Sequence, residues 1–163
     1  MLFSTLRFVI LGWIEDHFVD VTFTFKYAGF EWVQLLSPGW MYGLHGLMIL
    51  GAIGIMIGLF YRLSAITFFL SFTYVELIDL TWYLNHYYFV SLVSLLLIFV
   101  PAHARLSVDA WRNPSLRKLT VPWWTVFIFK FQIAVVYISA GLAKVRYEWL
   151  INALPLKIWV PAN

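Results

Sequence analysis

The sequence predicts an all-α fold, a polytopic integral membrane helix bundle with four full spans and a partial amino-terminal helix. Of its 163 residues, 63% are hydrophobic and only 12% are charged, whereas soluble domains carry about 25% charged residues. Nine Trp, nine Tyr and fifteen Phe are typical of a membrane protein with aromatic belts at both interfaces. The chain has no Cys, which excludes disulfides, iron–sulfur clusters and thiol chemistry.

Apolar runs recur along the chain and define the predicted elements of a single transmembrane domain over 1–163. The run from Met1 to Leu11 is too short to cross a bilayer, because a spanning helix needs about 20 residues. We therefore expect a partial helix over 1–12, with the chain beginning inside it. The full spans are predicted at about 41–61, 63–83, 87–101 and 122–142.

Three glycines mark one side of the first full span. Gly54 and Gly58 have the small-xxx-small spacing that lets two membrane helices approach closely, and Gly51 lies on the same side. This spacing predicts tight packing and carries no functional information.

The tail 151–163 is apolar but interrupted by Pro155 and Pro161, which is typical of an interfacial segment or the start of a further helix.

Loop charge predicts the orientation of the bundle. The turn at Arg62 and the loop 102–121 are basic, whereas the 13–40 stretch is acidic. Loops rich in Lys and Arg stay on the cytoplasmic side. We therefore predict that residues 13–40, 84–86 and 143–163 are extracytoplasmic, and that the protein lies in a bacterial inner (cytoplasmic) membrane.

With this orientation, polar residues from separate spans meet at one level near the outer face. They are Asp79, Asn85, His86, Lys144 and His45. Together they indicate an outward-facing polar pocket, although each has a plainer interpretation. A single interfacial lysine usually extends its amine to water, His86 could cap a helix, and His45 is expected to hydrogen-bond a backbone carbonyl. Intramembrane carboxylates such as Asp79 are usually functional, with a structural hydrogen bond as the alternative.

Two polar residues deeper in the predicted spans indicate a contact between helices. The sequence does not predict a metal site. Glu76 and Lys130 are expected to form a structural polar pair, because opposite charges in a bilayer tend to find each other. His45 and His86 lie at similar depth, but two histidines without a further ligand are a weak haem or metal signal. The predicted partners are the lipid bilayer and other membrane protein subunits. No basic patch interleaved with exposed aromatics points to nucleic acid.

A set of short motifs keeps its order and near-constant spacing from about residue 13 to residue 150. On these motifs the chain resembles the membrane domain of the vitamin K-dependent gamma-glutamyl carboxylases and their bacterial relatives, the horizontally transferred transmembrane (HTTM) domain. The motifs are Trp40-Met-Tyr42, Gly58-Leu-Phe-Tyr-Arg62, Leu77-Ile-Asp79 with Thr81, Asn85-His86-x-Tyr88, Ser107-Val-Asp109, Val121-Pro122, Gln132-Ile133, Val136-Tyr137, Ala140-Gly141-x-x-Lys144 and Trp149.

The resemblance implies a specific chemistry. The family uses a reduced vitamin K-type quinone, O2 and CO2 to convert protein Glu to gamma-carboxyglutamate, a lyase-class activity. On this basis Lys144 is predicted as the catalytic base, with His86 as the second catalytic residue. Asn85 and Asp79 are predicted to bind substrate, and no metal is implied. A site shielded from water would protect reactive intermediates.

Departures from the family leave two other functions open. Family members continue with more spans and an extramembrane domain that holds the propeptide and the Glu substrate, whereas this sequence ends at Asn163. Animal members of the family have a lysine, an acidic residue and an apolar residue at the positions of Ala143, Arg146 and Glu76, respectively. The main alternative is a non-catalytic transmembrane subunit that packs in a larger membrane complex. A third hypothesis is a small transporter-like bundle that moves protons through Asp79 and Glu76.

Overall fold

The structure, a computed structural model, describes residues 2–153, so most of the predicted tail 151–163 lies outside the described residues. All regular elements in the described range are helical, which confirms the predicted all-α class. The α-helices are α1 (Leu2–Ile10), α2 (Trp13–Phe18), α3 (Pro38–Ile57), α4 (Tyr61–Ile78), α5 (Asn85–Phe99), α6 (Val108–Arg112), α7 (Trp123–Ala143) and α8 (Tyr147–Leu150). Single 3-10 turns cover Leu80–Trp82 and Pro114–Leu116.

The chain divides into two compact units, one up to Val121 and one from Pro122. The first unit contains α1 to α6. In it, α4 packs between α3 and α5, and α1 packs against α3. The connections 58–60 and 79–84 are short, so consecutive helices of this group run antiparallel. The second unit contains α7 and α8.

Two buried clusters hold the first unit together. The larger one joins α2, the loop before α3, the start of α3 and the end of α4, through Ile14, Phe18, Val33, Met41 and Ile78. The smaller one lies midway along α3 and α4 and contains Met48, Ala52 and Phe68. The larger cluster therefore fixes the amino-terminal segment onto one end of the α3–α4 pair.

Close contact between α3 and α4 occurs at glycines, as the spacing predicts. A Cβ atom added at Gly54 would lie 2.2 Å from the Ser64 hydroxyl oxygen, and one added at Gly51 would lie 3.0 Å from the Phe68 backbone. A side chain at Gly54 would therefore overlap Ser64, and one at Gly51 would require α4 to shift by a few tenths of an ångström. Gly58 then ends α3 with a φ of 66°, the left-handed conformation that glycine adopts without strain.

Two helices in the described part of the chain, α3 and α7, are long and apolar enough to cross a membrane. The prediction of four full spans is therefore not confirmed. At 15 residues, α5 is only about 22 Å long, against a hydrocarbon core of about 30 Å. Helix α4 carries Arg62 and Glu76 as well as several hydroxyl groups, which lower its hydropathy.

Helix α4 ends earlier than its apolar run because of Asp79. This residue is extended (φ −143°, ψ 122°), and its carboxylate accepts hydrogen bonds from the Thr81 N–H and hydroxyl, both at 2.9 Å. The predicted span 63–83 thus consists of a helix that stops at Ile78 and a 3-10 turn. Asn85 and His86 form the first turn of α5 instead of a connecting loop.

At the other end of α4, Asp109 caps the helix from a distant segment. Its carboxylate accepts hydrogen bonds from the N–H groups of Phe60, at 2.9 Å, and Tyr61, at 2.8 Å. The Asp109 N–H in turn donates to the Gly58 carbonyl at 3.0 Å. A carboxylate at a helix amino terminus satisfies unpaired N–H groups and complements the helix dipole. Two of the resemblance motifs, 58–62 and 107–109, therefore meet in space.

We predict that Gly54→Ala destabilises the first unit by about 1–3 kcal/mol, because the added methyl group overpacks the α3–α4 contact. Thermal unfolding in detergent, followed by circular dichroism, measures the effect. Gly46→Ala is the matched control on the same helix, since nothing lies within 4 Å of its added Cβ. Equal melting temperatures for the two variants would contradict the close contact.

We also predict that Asp109→Ala destabilises the protein by about 1.5–3 kcal/mol, because two N–H groups at the start of α4 lose a charged acceptor. The control is Asp20→Ala, which removes an exposed carboxylate. The same unfolding measurement applies. A loss of stability in the control as large as that in Asp109→Ala would indicate an effect of net charge instead of capping.

Candidate functional site

The first unit contains a cavity of about 260 Å³ at the end where α4 stops. Helices α1 to α4, the 3-10 turn and the start of α5 all contribute to its walls. The lining residues are Ser4, Thr5, Phe8, Trp13, His17, Phe18, His45, Met48, Phe72, Val75, Glu76, Asp79, Trp82, Leu84 and Tyr87. The cavity thus lies within the first unit and collects residues from segments far apart in sequence.

Aromatic rings form most of the cavity wall. The ring of Phe8 meets that of Trp13 edge-on with centroids 5.2 Å apart. The Trp82 indole lies 4.0 Å from the His17 imidazole. Aromatic rings prefer offset or edge-to-face contact with other rings. A wall built from such rings therefore favours a planar, largely apolar ligand.

His45 supplies the most buried polar group of the cavity, with only 2% of its surface exposed. Its Nδ1 lies 2.9 Å from the Met41 carbonyl oxygen, one turn earlier in α3. This confirms the expected hydrogen bond to a backbone carbonyl. Because a carbonyl only accepts, Nδ1 carries the proton, and Nε2 of the neutral ring is left as an acceptor.

His17 is a lining residue that the sequence analysis missed. Its Nδ1 is buried and has no hydrogen-bond partner among the described residues. The ring contacts Trp82, Phe8 and Trp13 instead. The available signal was the spacing of Trp13 and His17, four residues apart on one face of α2. The cavity therefore presents a second imidazole.

Glu76 lines the cavity and is half-buried. Within the described part of the first unit, no side chain donates a hydrogen bond to its carboxyl group. In the neighbouring loop, burial raises the pKa of the Tyr27 phenol, and the Glu76 carboxylate raises it further. The predicted partner Lys130 lies on α7, in the second unit, and is exposed. The Glu76–Lys130 pair stays a prediction.

Asp79 is buried and also lines the cavity, but its described contacts are structural. Besides Thr81, its carboxylate accepts a hydrogen bond from the Phe25 N–H at 3.3 Å. Next to it, the Lys26 amine donates to the Ile78 carbonyl at 3.1 Å, and the Leu80 N–H donates to the Phe25 carbonyl at 2.8 Å. Asp79 thus holds the 19–37 loop against the end of α4. Its predicted role in substrate binding is untested.

Asn85 and His86 lie beside the cavity without lining it. Both are exposed in the first turn of α5, between the lining residues Leu84 and Tyr87. The His86 ring lies 4.4 Å from the Tyr87 ring. The predicted catalytic histidine therefore lies next to Tyr87, a residue of the cavity wall.

Lys144 belongs to the second unit, where it follows the last residue of α7. Its amine lies 5.4 Å from the centre of the Trp149 ring. A cation over an indole face is stabilised by the ring quadrupole, and Trp and Lys are common at membrane interfaces. In its own unit, Lys144 thus has the surroundings of an interfacial lysine.

Two histidines and two acidic residues therefore meet in one cavity: His17, His45, Glu76 and Asp79. No group of three or more His, Asp or Glu side chains in the described range is arranged to hold a metal ion. A comparison with known protein families matches the HTTM domain over residues 1–163. No solved structure matches the chain.

Proposed function

The chain belongs to the HTTM domain family, the membrane domain of vitamin K-dependent carboxylase-like proteins, and we propose that its first unit binds the ring of a reduced vitamin K-type quinone. The observation that carries this proposal is the aromatic cavity that holds His45 and Glu76. A hydroquinone ring is planar and apolar, with two hydroxyl groups at opposite edges. It therefore matches the cavity in shape and in polarity.

Size is also consistent with a ring as guest. The cavity measures about 260 Å³, just below the range of about 300–1,000 Å³ that is usual for drug-sized ligands. A fused bicyclic head group is smaller than such ligands. A prenyl tail would remain outside this volume.

The polar residues have distinct roles in the proposed complex. The Nε2 atom of His45 accepts a hydrogen bond from one hydroxyl group, because its Nδ1–H is already donated to Met41. The Glu76 carboxylate accepts a proton or a hydrogen bond at the cavity wall. When bound, the hydroquinone supplies two acidic hydroxyl groups and two electrons. The surrounding rings would limit water around the bound hydroquinone, which strengthens each polar contact.

The proposed membrane arrangement places α3, α4, α5 and α7 across the bilayer. The 19–37 loop is held at one end of α4 by Asp79, and the basic 102–121 loop is held at the other end by Asp109. Acidic and basic loops thus lie at opposite ends of the first unit, which supports a cytoplasmic basic end under the positive-inside rule. In a bacterial inner membrane, the cavity end would face outward.

For the chemical step we propose the roles that the resemblance implies: Lys144 as the base, His86 as the second catalytic residue and Asn85 as a substrate-binding residue. This assignment rests on the resemblance, in which the lysine of Ala140-Gly141-x-x-Lys144 has that role. In the family reaction the hydroquinone and O2 give the quinone epoxide and water. Carboxylation of a Glu substrate is coupled to that oxidation.

We predict that His45→Leu and Glu76→Gln each weaken binding of a reduced short-chain vitamin K analogue about tenfold, or about 1.4 kcal/mol. His45→Leu removes one hydrogen-bond acceptor, and Glu76→Gln replaces a charged acceptor by a weaker, neutral one. Equilibrium dialysis of the full chain in nanodiscs, under anaerobic conditions, gives the dissociation constants. His103→Leu and Glu31→Gln are matched controls, because neither residue lines the cavity.

Unchanged affinity in both cavity variants would exclude the cavity as the ring site. If the wild-type chain itself binds no quinone and purifies with defined partner proteins, the non-catalytic subunit hypothesis is favoured. Melting temperatures of all four variants separate lost binding from lost folding.

We predict further that Lys144→Ala abolishes quinone epoxide formation while the ring still binds, because Lys144 is not a lining residue. Membranes that contain the full chain are supplied with hydroquinone and O2, and the epoxide is measured by chromatography. Arg146→Ala, which removes a nearby exposed cation, should retain activity. Equal turnover in wild type and Lys144→Ala would remove Lys144 from the mechanism.

A further inference from the structure

A second cavity, unrelated to the quinone proposal, lies in the 102–121 loop at the opposite end of the first unit. Its volume is about 370 Å³, and it is lined by Arg105, Leu106, Arg117, Lys118 and Leu119. Three cations and two leucines therefore share one small pocket. Neither the family match nor the predicted catalytic residues assign a role to it.

The pocket is built from a folded loop with defined contacts. The Lys118 N–H donates to the Ala104 carbonyl at 3.0 Å, which brings the two ends of the loop together. The Nε–H of Arg117 donates to the Ala110 carbonyl at 3.1 Å. This contact fixes the guanidinium by one edge and leaves its two terminal nitrogens for a ligand.

The positive charge of the pocket is not neutralised within the described residues. Asp109 is the acidic residue of this loop, and its carboxylate is bound to the N–H groups of Phe60 and Tyr61. No described carboxylate forms an ion pair with Arg105, Arg117 or Lys118. Three uncompensated cations around one pocket attract an anion with several acceptor oxygens.

Apolar side chains at the pocket show which kind of anion fits. Leu106 is 94% exposed and Leu119 is 87% exposed. Exposed leucines beside cations are disfavoured in water, but they suit the boundary between lipid head groups and acyl chains. A soluble phosphate or a nucleic acid would leave both leucines in water. A phospholipid covers cations and leucines together.

We propose that this pocket binds the phosphate head group of an anionic phospholipid, with Leu106 and Leu119 inserted among the acyl chains. Anionic lipids attract juxtamembrane Lys and Arg residues on the cytoplasmic side, which is the side assigned to this loop by its charge. The site would fix the depth of the loop at the membrane surface.

The test uses the purified full chain in a neutral detergent, titrated with dioleoyl phosphatidylglycerol or dioleoyl phosphatidylcholine and analysed by native mass spectrometry. We expect phosphatidylglycerol to bind at least about tenfold more tightly than phosphatidylcholine. A triple variant, Arg105→Gln with Arg117→Gln and Lys118→Gln, should lose that preference, since each surface cation contributes several-fold in affinity.

A control triple variant, Arg7→Gln with Lys26→Gln and Arg146→Gln, removes the same charge elsewhere and should bind within about twofold of wild type. The double variant Leu106→Asn with Leu119→Asn should weaken phosphatidylglycerol about threefold or more, and soluble glycerol phosphate should bind far more weakly than the lipid. Melting temperatures confirm folding of each variant.

Three results would overturn the proposal. The first is an equal loss of binding in both triple variants, which would indicate bulk charge. The second is no preference for phosphatidylglycerol over phosphatidylcholine. The third is glycerol phosphate binding as tight as that of the lipid, which would indicate a site for soluble anions. Quinone binding at the other end is expected to be unchanged in the variants of the basic pocket and its leucines, so the two proposals fail separately.

Discussion

The close contact between α3 and α4 sets the geometry of the first unit. Gly54 lies against Ser64, where an added Cβ atom would overlap the side chain, and Gly51 lies tightly against Phe68. In an antiparallel pair, each step back along α3 is matched by a step forward along α4. Continuing from these two contacts brings His45 level with the turn that contains Glu76. His45 and Glu76 therefore face one space because the glycines fix the register of the helices.

Two carboxylates then attach the loops to the ends of this helix pair. Asp79 reaches back 54 residues to the Phe25 N–H, and Asp109 reaches back 49 residues to the Phe60 N–H. Backbone N–H groups near a membrane need acceptors, because unpaired ones cost several kcal/mol in an apolar environment. Each carboxylate meets that need at one end of α4. Together they keep the acidic segment and the basic segment apart.

Features with a local cause could be predicted from the sequence. The helical class follows from composition, the tight α3–α4 contact from glycine spacing, and the His45 hydrogen bond from its place one turn after Met41. Features that depend on contacts between segments far apart in sequence could not be predicted. The end of α4 at Ile78 depends on Asp79 meeting Phe25, and the position of His17 in the cavity depends on α2 folding over α3. An apolar run gives no sign of either contact, so the predicted span continued to residue 83.

At each end of the first unit, a carboxylate bound to backbone N–H groups lies close in sequence to charged residues of a proposed binding site. When Asp109 caps α4, its carboxylate oxygens are bound to the N–H groups of Phe60 and Tyr61, and no described ion pair joins it to the arginines of its own loop. At the other end, Asp79 is likewise occupied by backbone groups, so Glu76 is left as the carboxyl group of the cavity without a described hydrogen-bond donor. In both places the structural carboxylate determines which charged group nearby is available to a ligand.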